Sequence, residues 1–267
     1  MKLLLPIILA PLLVACAEQS VAHLSCPDIK PDDTAPQWHS PFDDLQGWGS
    51  HFGYPHSAMI VQDPMDSSNN VLRLELRDGD QFRTRSGYAY RAEVYERYKA
   101  PFNQPIHYRF KVLITDQWQY DDVRALIAQW HATPDRHLNE ISRSPNLGIE
   151  LRNDRFLIRS QTSQLAVNTD NKHGMTRTQH YLSAPIEKNR WYQFDVRVKW
   201  THNSDGYLAI TINDQPVVSH HGPTSYVDCL GPYFKAGIYR DHSPNTFSLL
   251  LDDYSRTLIE ESNTDLE

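Results

Sequence analysis

In WYQFDVRVKW, residues 191–200, apolar and polar side chains alternate without a break. Tyr192, Phe194, Val196, Val198 and Trp200 fall on one face, and Gln193, Asp195, Arg197 and Lys199 on the other, because successive strand residues point to opposite sides. A chain that repeats this pattern must close a second layer over its apolar rows. It does repeat it: VLRLELR (71–77), YAYRAEVYE (88–96), IHYRFKVLIT (106–115), RALIAQWH (124–131), NLGIELR (146–152), YFKAGIYR (233–240) and TFSLLLDDY (246–254) are alternating or β-rich. The turn NSDG (203–206) leads into YLAITIN (207–213), the expected hairpin partner of residues 191–200.

A dozen or so short strands with no strand–helix alternation predict an all-β chain of two antiparallel sheets. The arrangement expected is a β-jelly-roll sandwich whose concave face can be lined as a groove. With 267 residues and 40% hydrophobic content, the chain suits one large domain.

The N-terminus carries a separate message. Lys2 precedes the apolar run LLLPIILAPLLVAC, which is too short to span a bilayer as a helix and reads as an export signal. Leu13-Val14-Ala15-Cys16 resembles a bacterial lipobox, with Cys16 the lipidated first residue. Ala17 after it favours the outer membrane by resemblance to sorting rules. The expected organisation is therefore a signal peptide over 1–15, a Pro- and Asp-rich tether over 16–40 and one jelly-roll domain over 41–267, acting as a lipid-anchored monomer. Export into an oxidising compartment makes Cys26 and Cys229 candidates for one disulfide, with two free thiols the alternative. A formal charge of −7 argues against a nucleic-acid partner, although residues 73–99 hold seven cations against five acids.

Three strands carry unusual polar faces. Arg91, Glu93 and Tyr95 share one in YRAEVYE; Gln129 and His131 share one in IAQWH; Tyr233, Lys235, Gly237 and Tyr239 share one in YFKAGIYR. Each set alone is weak. In this order they resemble the three signature strands of jelly-roll polysaccharide lyases, whose alginate lyases carry Arg-x-Glu, Gln-x-His and Tyr-x-Lys-x-Gly-x-Tyr. Trp130 within QWH and the ending Tyr239-Arg240 are more similar to the heparin-lyase-I-like group, related in pattern to glucuronan lyases. One departure is Asp241, where the alginate lyases usually place Asn or Gln. It speaks against alginate more than against lyase chemistry. A retaining glucanase would need a Glu-x-Asp-x-x-Glu strand, and none is present.

The resemblance implies an anionic, uronate-containing polysaccharide as substrate and β-elimination as the reaction. A proton leaves carbon 5 beside the uronate carboxylate, and the glycosidic oxygen leaves carbon 4. The carboxylate must be neutralised and the developing enolate met by fixed donors. The resemblance assigns catalysis to Gln129, His131 and Tyr239, with Arg91 a further donor. Tyr239 is the acid and a candidate base; His131, with an ordinary pKa of about 6.5, is the other candidate base. Lys235 and Tyr233 would bind substrate, Glu93 would orient Arg91, and Gly237 would let the sugar approach the backbone. Arg83 and Arg85 are further binding candidates, and His51, His56, Trp130, His137 and Arg143 weaker ones. No cofactor or catalytic metal is called for; Asp63–Asp66 and Asp121–Asp122 are compatible with a structural calcium ion. A non-catalytic glycan-binding lipoprotein on the same fold is the alternative.

Overall fold

The computed structural model describes residues 26–27, 37–85 and 87–259. The expected signal peptide, Cys16 and most of the expected tether lie outside the described residues, as do the last eight positions. Among the described residues, helix is limited to the single 3-10 turns Pro55–Ser57 and Arg136–Leu138.

The strands form two antiparallel sheets. The first runs Gln215–His221, Tyr207–Ile212, Trp191–Lys199, Pro105–Ile114, Phe247–Leu258, Asn70–Leu76, Ala58–Gln62, with Gln37–Ser40 also pairing on Phe247–Leu258. The second runs Met175–Leu182, Arg155–Ser163, Leu147–Arg152, Ala125–Thr133, Leu230–Arg240, Gly87–Tyr95, Gly49–His51, with Phe82–Thr84 added on Gly87–Tyr95. The hairpin expected around NSDG is present, with Phe194 opposite Ile212 and Lys199 opposite Tyr207.

Alternation explains which sheet faces meet. Phe194, Val196 and Val198 are fully buried, and so are Ala92, Val94, Trp130, Phe234 and Ile238 from the other sheet. Trp130 anchors the interface: its ring packs on Tyr108, Phe110, Phe234 and Trp200, with centroids 5.2 to 6.3 Å apart. Each such aromatic removes about 150–250 Å² from water, so these few rings dominate the core.

The domain begins earlier than the tether boundary at residue 40 implies. Gln37–Ser40 is a strand, paired on Phe247–Leu258, and Trp38 packs on Trp48 at 4.6 Å and on Tyr254 at 5.5 Å. Further upstream, Cys26 is bonded to Cys229, closing a loop of 203 residues. On the chain-entropy model a loop of that size contributes about 5 kcal/mol at the upper end. Cys229→Ser should therefore lower the thermal midpoint measurably without abolishing folding, as read by circular dichroism; an unchanged midpoint would remove the bond's stabilising role.

Candidate active site

Three strands far apart in sequence lie side by side: Ala125–Thr133, then Leu230–Arg240, then Gly87–Tyr95. The register aligns their polar residues. Lys235 sits opposite Gln129 on one side and Tyr95 on the other; Tyr233 faces His131; Tyr239 faces Arg91. Opposite residues share a sheet face, so Arg91, Glu93, Gln129, His131, Tyr233, Lys235 and Tyr239 all project from the side turned away from the core.

Glu93 is the hub. Its carboxylate accepts a hydrogen bond from Lys235 Nζ at 2.8 Å and another from Gln129 Nε2, and pairs with Arg91 Nε at 2.8 Å. Burial would raise this acid, but the charges of Lys235 and Arg91 outweigh it and hold the carboxyl at about 2. Lys235 is only 1% exposed. Burial pulls its ammonium down to about 8, against the pull of Glu93 and with the help of Arg91. Two cations and an amide thus surround one anion, leaving a net positive charge at the foot of the face.

His131 stands beside this cluster, its ring 5.4 Å from that of Tyr233. Its Nδ1 lies 2.7 Å from the carbonyl oxygen of Ala132. A carbonyl can only accept, so Nδ1 carries the proton and Nε2 keeps its lone pair. Burial, with Lys235 and then Arg91 adding to it, lowers this imidazole to about 3, although the Ala132 carbonyl opposes the shift. The ring is therefore a neutral base at ordinary pH. Tyr233 keeps its proton, because burial pushes the phenol up to about 12. Lys99 Nζ lies 3.2 Å from the Tyr233 ring centroid.

Tyr239 rises between two guanidinium groups. Arg91 lies 4.1 Å from its ring centroid, and Arg124 lies 4.6 Å from it. Among the weaker candidates, His51 joins the cluster: it pairs with Glu93 across strands, and burial and the Lys235 charge hold it at about 4. The others do not. Arg83 and Arg85 are exposed in the hairpin beyond Gly87–Tyr95, and His56 is tied to Asp80 at 2.6 Å. Trp130 is core, His137 sits in the Arg136–Leu138 turn, and Arg143 is buried against Asp228 at 3.1 Å and against Glu140.

Gly237 has a different reason from the one expected. Its φ is +132°, and a Cβ there would lie 2.3 Å from the Ala92 carbonyl oxygen and 2.8 Å from Glu93 Cα. It resolves a β-bulge between Ala236 and Tyr239, with the missing side chain meeting the neighbouring strand's backbone rather than a sugar. The acid pairs offered for calcium are otherwise engaged: Asp63 accepts from the Met65 amide and Trp191 Nε1, Asp66 from Ser68, and Asp121 from Ser243. Carboxylates do converge at Asp135, Glu140 and Asp228, within 4.8 Å of one another. There Arg143 pairs with two of the three, so part of the charge a cation would meet is already neutralised.

Alternation alone missed Arg124. A bulge between Leu126 and Ala128 inverts the parity of that strand, so Gln129 and His131 share a face with Leu126 and, two residues before it, Arg124. No residue type marks that bulge in RALIAQWH.

Two antiparallel sheets, with an outer face bearing fixed cations, a neutral imidazole and a phenol, define the jelly-roll lyase class. Residues 34–255 match the family model described as polysaccharide lyase, and the chain belongs to that family. No curated protein matches the chain. In fold it is similar to the endo-β-1,4-glucuronan lyase of the fungus Trichoderma reesei, with a TM-score of 0.70 at 16% identity over 83% of this chain and 95% of that one. It is also similar to alginate lyase A1-II′ of polysaccharide lyase family 7, with a TM-score of 0.57 at 13% identity over 80% and 95% of the two chains. For alginate lyase AlyC3 the TM-score is 0.52 at 16% identity over 71% and 75%. The protein is a polysaccharide lyase.

Proposed function

We propose that the enzyme cleaves a uronate-containing polysaccharide by β-elimination on the outer face of the second sheet. The observation that carries this reading is the buried Glu93, which fixes Arg91, Gln129 and Lys235 beside a neutral His131 and beside Tyr239. Fixed donors of this kind stabilise a developing enolate without reorganising at the moment of reaction. The Arg91 guanidinium offsets the charge of the uronate carboxylate and the Gln129 amide donates a hydrogen bond to it, so that the carbon 5 proton can leave. His131 Nε2 or the Tyr239 oxygen takes that proton, the electrons form the carbon 4–carbon 5 double bond, and the Tyr239 hydroxyl protonates the departing glycosidic oxygen. Paired carboxylates and an activated water have no part in this scheme, and none of its steps calls for a cofactor.

Glucuronan is the first polymer to try, since the fungal neighbour is named for it and Asp241 departs from the alginate lyases. Incubation with a panel of glucuronan, alginate, ulvan-type polymer and glycosaminoglycans, followed by ultraviolet absorbance of the unsaturated product, tests the reading. Binding without any unsaturated product would favour a carbohydrate-binding role.

Affinity for an anionic chain should depend on the Lys235 charge. Because that ammonium is held at about 8, KM should rise as the pH increases through that value, and the rise should be absent in Lys235→Arg, which stays charged. An identical KM profile for the two proteins would exclude Lys235 as the titrating group.

We further propose that the mature chain is lipid-anchored through Cys16 at the outer membrane and acts as a monomer on exogenous polymer. The lipobox-like Leu13-Val14-Ala15-Cys16 supports this. Cys16→Ser should move the protein from the membrane fraction to the soluble fraction; co-fractionation of the variant with wild type would refute the anchor.

A further inference from the structure

We infer that Arg124, held by Asp241, is a positioning residue for Tyr239. The inference rests on the lyase reading above and adds to it a residue outside the three signature motifs.

The geometry is a row of three side chains across three adjacent strands. Tyr239 belongs to the middle strand, Arg91 to the strand on one side and Arg124 to the end of the strand on the other. A ring standing on the middle strand therefore has one guanidinium on each flank, with Cζ atoms 4.1 and 4.6 Å from its centroid. Each guanidinium is tethered by its own carboxylate. Glu93 holds Arg91 at 2.8 Å, and Asp241 accepts from Arg124 Nη2 at 2.6 Å. The second tether is reinforced by the backbone, because the Asp241 amide donates to the Arg124 carbonyl at 3.0 Å.

This arrangement accounts for the departure at residue 241. An amide there could not form an ion pair with a guanidinium, whereas a carboxylate can. Asp241 and Arg124 thus form a unit, and its free side presses on Tyr239. A guanidinium stacked on an aromatic face is held there by the ring's quadrupole, and one on each flank favours a single ring orientation. The hydroxyl of Tyr239 must meet the glycosidic oxygen that it protonates, so the ring's orientation sets the rate. Arg91 alone cannot fix it, since a ring braced on one side remains free to tip toward the other.

The test is steady-state kinetics of Arg124→Gln, Arg124→Lys and Asp241→Asn on the best polymer of the panel. Arg124→Gln should lose about 10- to 100-fold in kcat with KM changed less than about twofold, the size expected for a small misplacement of a reacting group. Arg124→Lys should recover little, because a point charge lacks the planar stacking surface. Asp241→Asn should fall between wild type and Arg124→Gln. A raised KM at unchanged kcat would make Arg124 a substrate anchor instead, and a lower thermal midpoint with unchanged kinetics would make it structural; either overturns the inference. A readout without turnover separates this inference from the lyase reading. With carbon-13 at the tyrosine ζ positions, the signal lost in Tyr239→Phe should shift in Arg124→Gln. An unmoved signal overturns the inference even if the enzyme is active, whereas a shifted signal with no product from any uronan leaves the ring contact intact and refutes the lyase reading.

Discussion

Tyr239→Phe should lower kcat/KM by at least about two orders of magnitude, the span that general acid–base groups usually supply. The fold should be unaffected. The substitution removes one oxygen from a half-buried residue and keeps the ring against which Arg91 and Arg124 pack. Thermal midpoint and circular dichroism should match wild type while unsaturated product vanishes. His131→Ala should behave similarly, but it also deletes the ring that packs beside Tyr233 and is the less clean probe. A Tyr239→Phe protein with more than a tenth of wild-type activity would remove the phenol from the mechanism.

Glu93→Ala should damage both folding and catalysis. It strands Lys235, 1% exposed, and leaves Arg91 without its anchor. Removing one partner of a buried ion pair costs about 3–5 kcal/mol, because the other charge stays desolvated. For a domain of this size that corresponds to a fall of about 10 °C in thermal midpoint. Activity should fall further than the loss of folded protein explains, since Gln129 loses its acceptor as well. The same linkage fixes the sign of a pH effect. The folded-state carboxyl is held at about 2, below its ordinary 4.5, so its stabilisation is full above about 4.5 and is lost as pH falls through about 2. Chemical denaturation of wild type and Glu93→Ala across that window should show the gap between them closing toward acid. A constant gap would show that the pair contributes nothing through its charge.

The long strands were legible because their burial depends on nearest neighbours in sequence. Phe194, Val196 and Val198 had to face inward whatever lay across from them, and they do. The same parity placed Arg91 with Glu93 and Gln129 with His131, since no bulge falls within either pair. Less visible were Arg155–Ser163 and Met175–Leu182, whose outer faces mix polar and apolar side chains and whose pairing shifts register between Ile158 and Arg159.

By itself, then, the sequence determined the two-sheet class and the inward rows, because strand alternation is a local rule; the candidate reacting groups came from the resemblance of three motifs to lyase signature strands. Three things were decided by the tertiary structure. One is the burial of Lys235 and Arg240, each 1% exposed: alternation puts Lys235 on the outer face and Arg240 in the row of Phe234, Ala236 and Ile238, but it does not say that either charge is closed off from water. Another is Gly237, whose role comes from the backbone of an adjacent strand more than 140 positions earlier, at Ala92 and Glu93. The third is the pairing of Arg124 with Tyr239, set by a bulge that flips one strand's parity. In each case the cause is a contact between strands distant along the chain, and such contacts exist only once the sheets have formed.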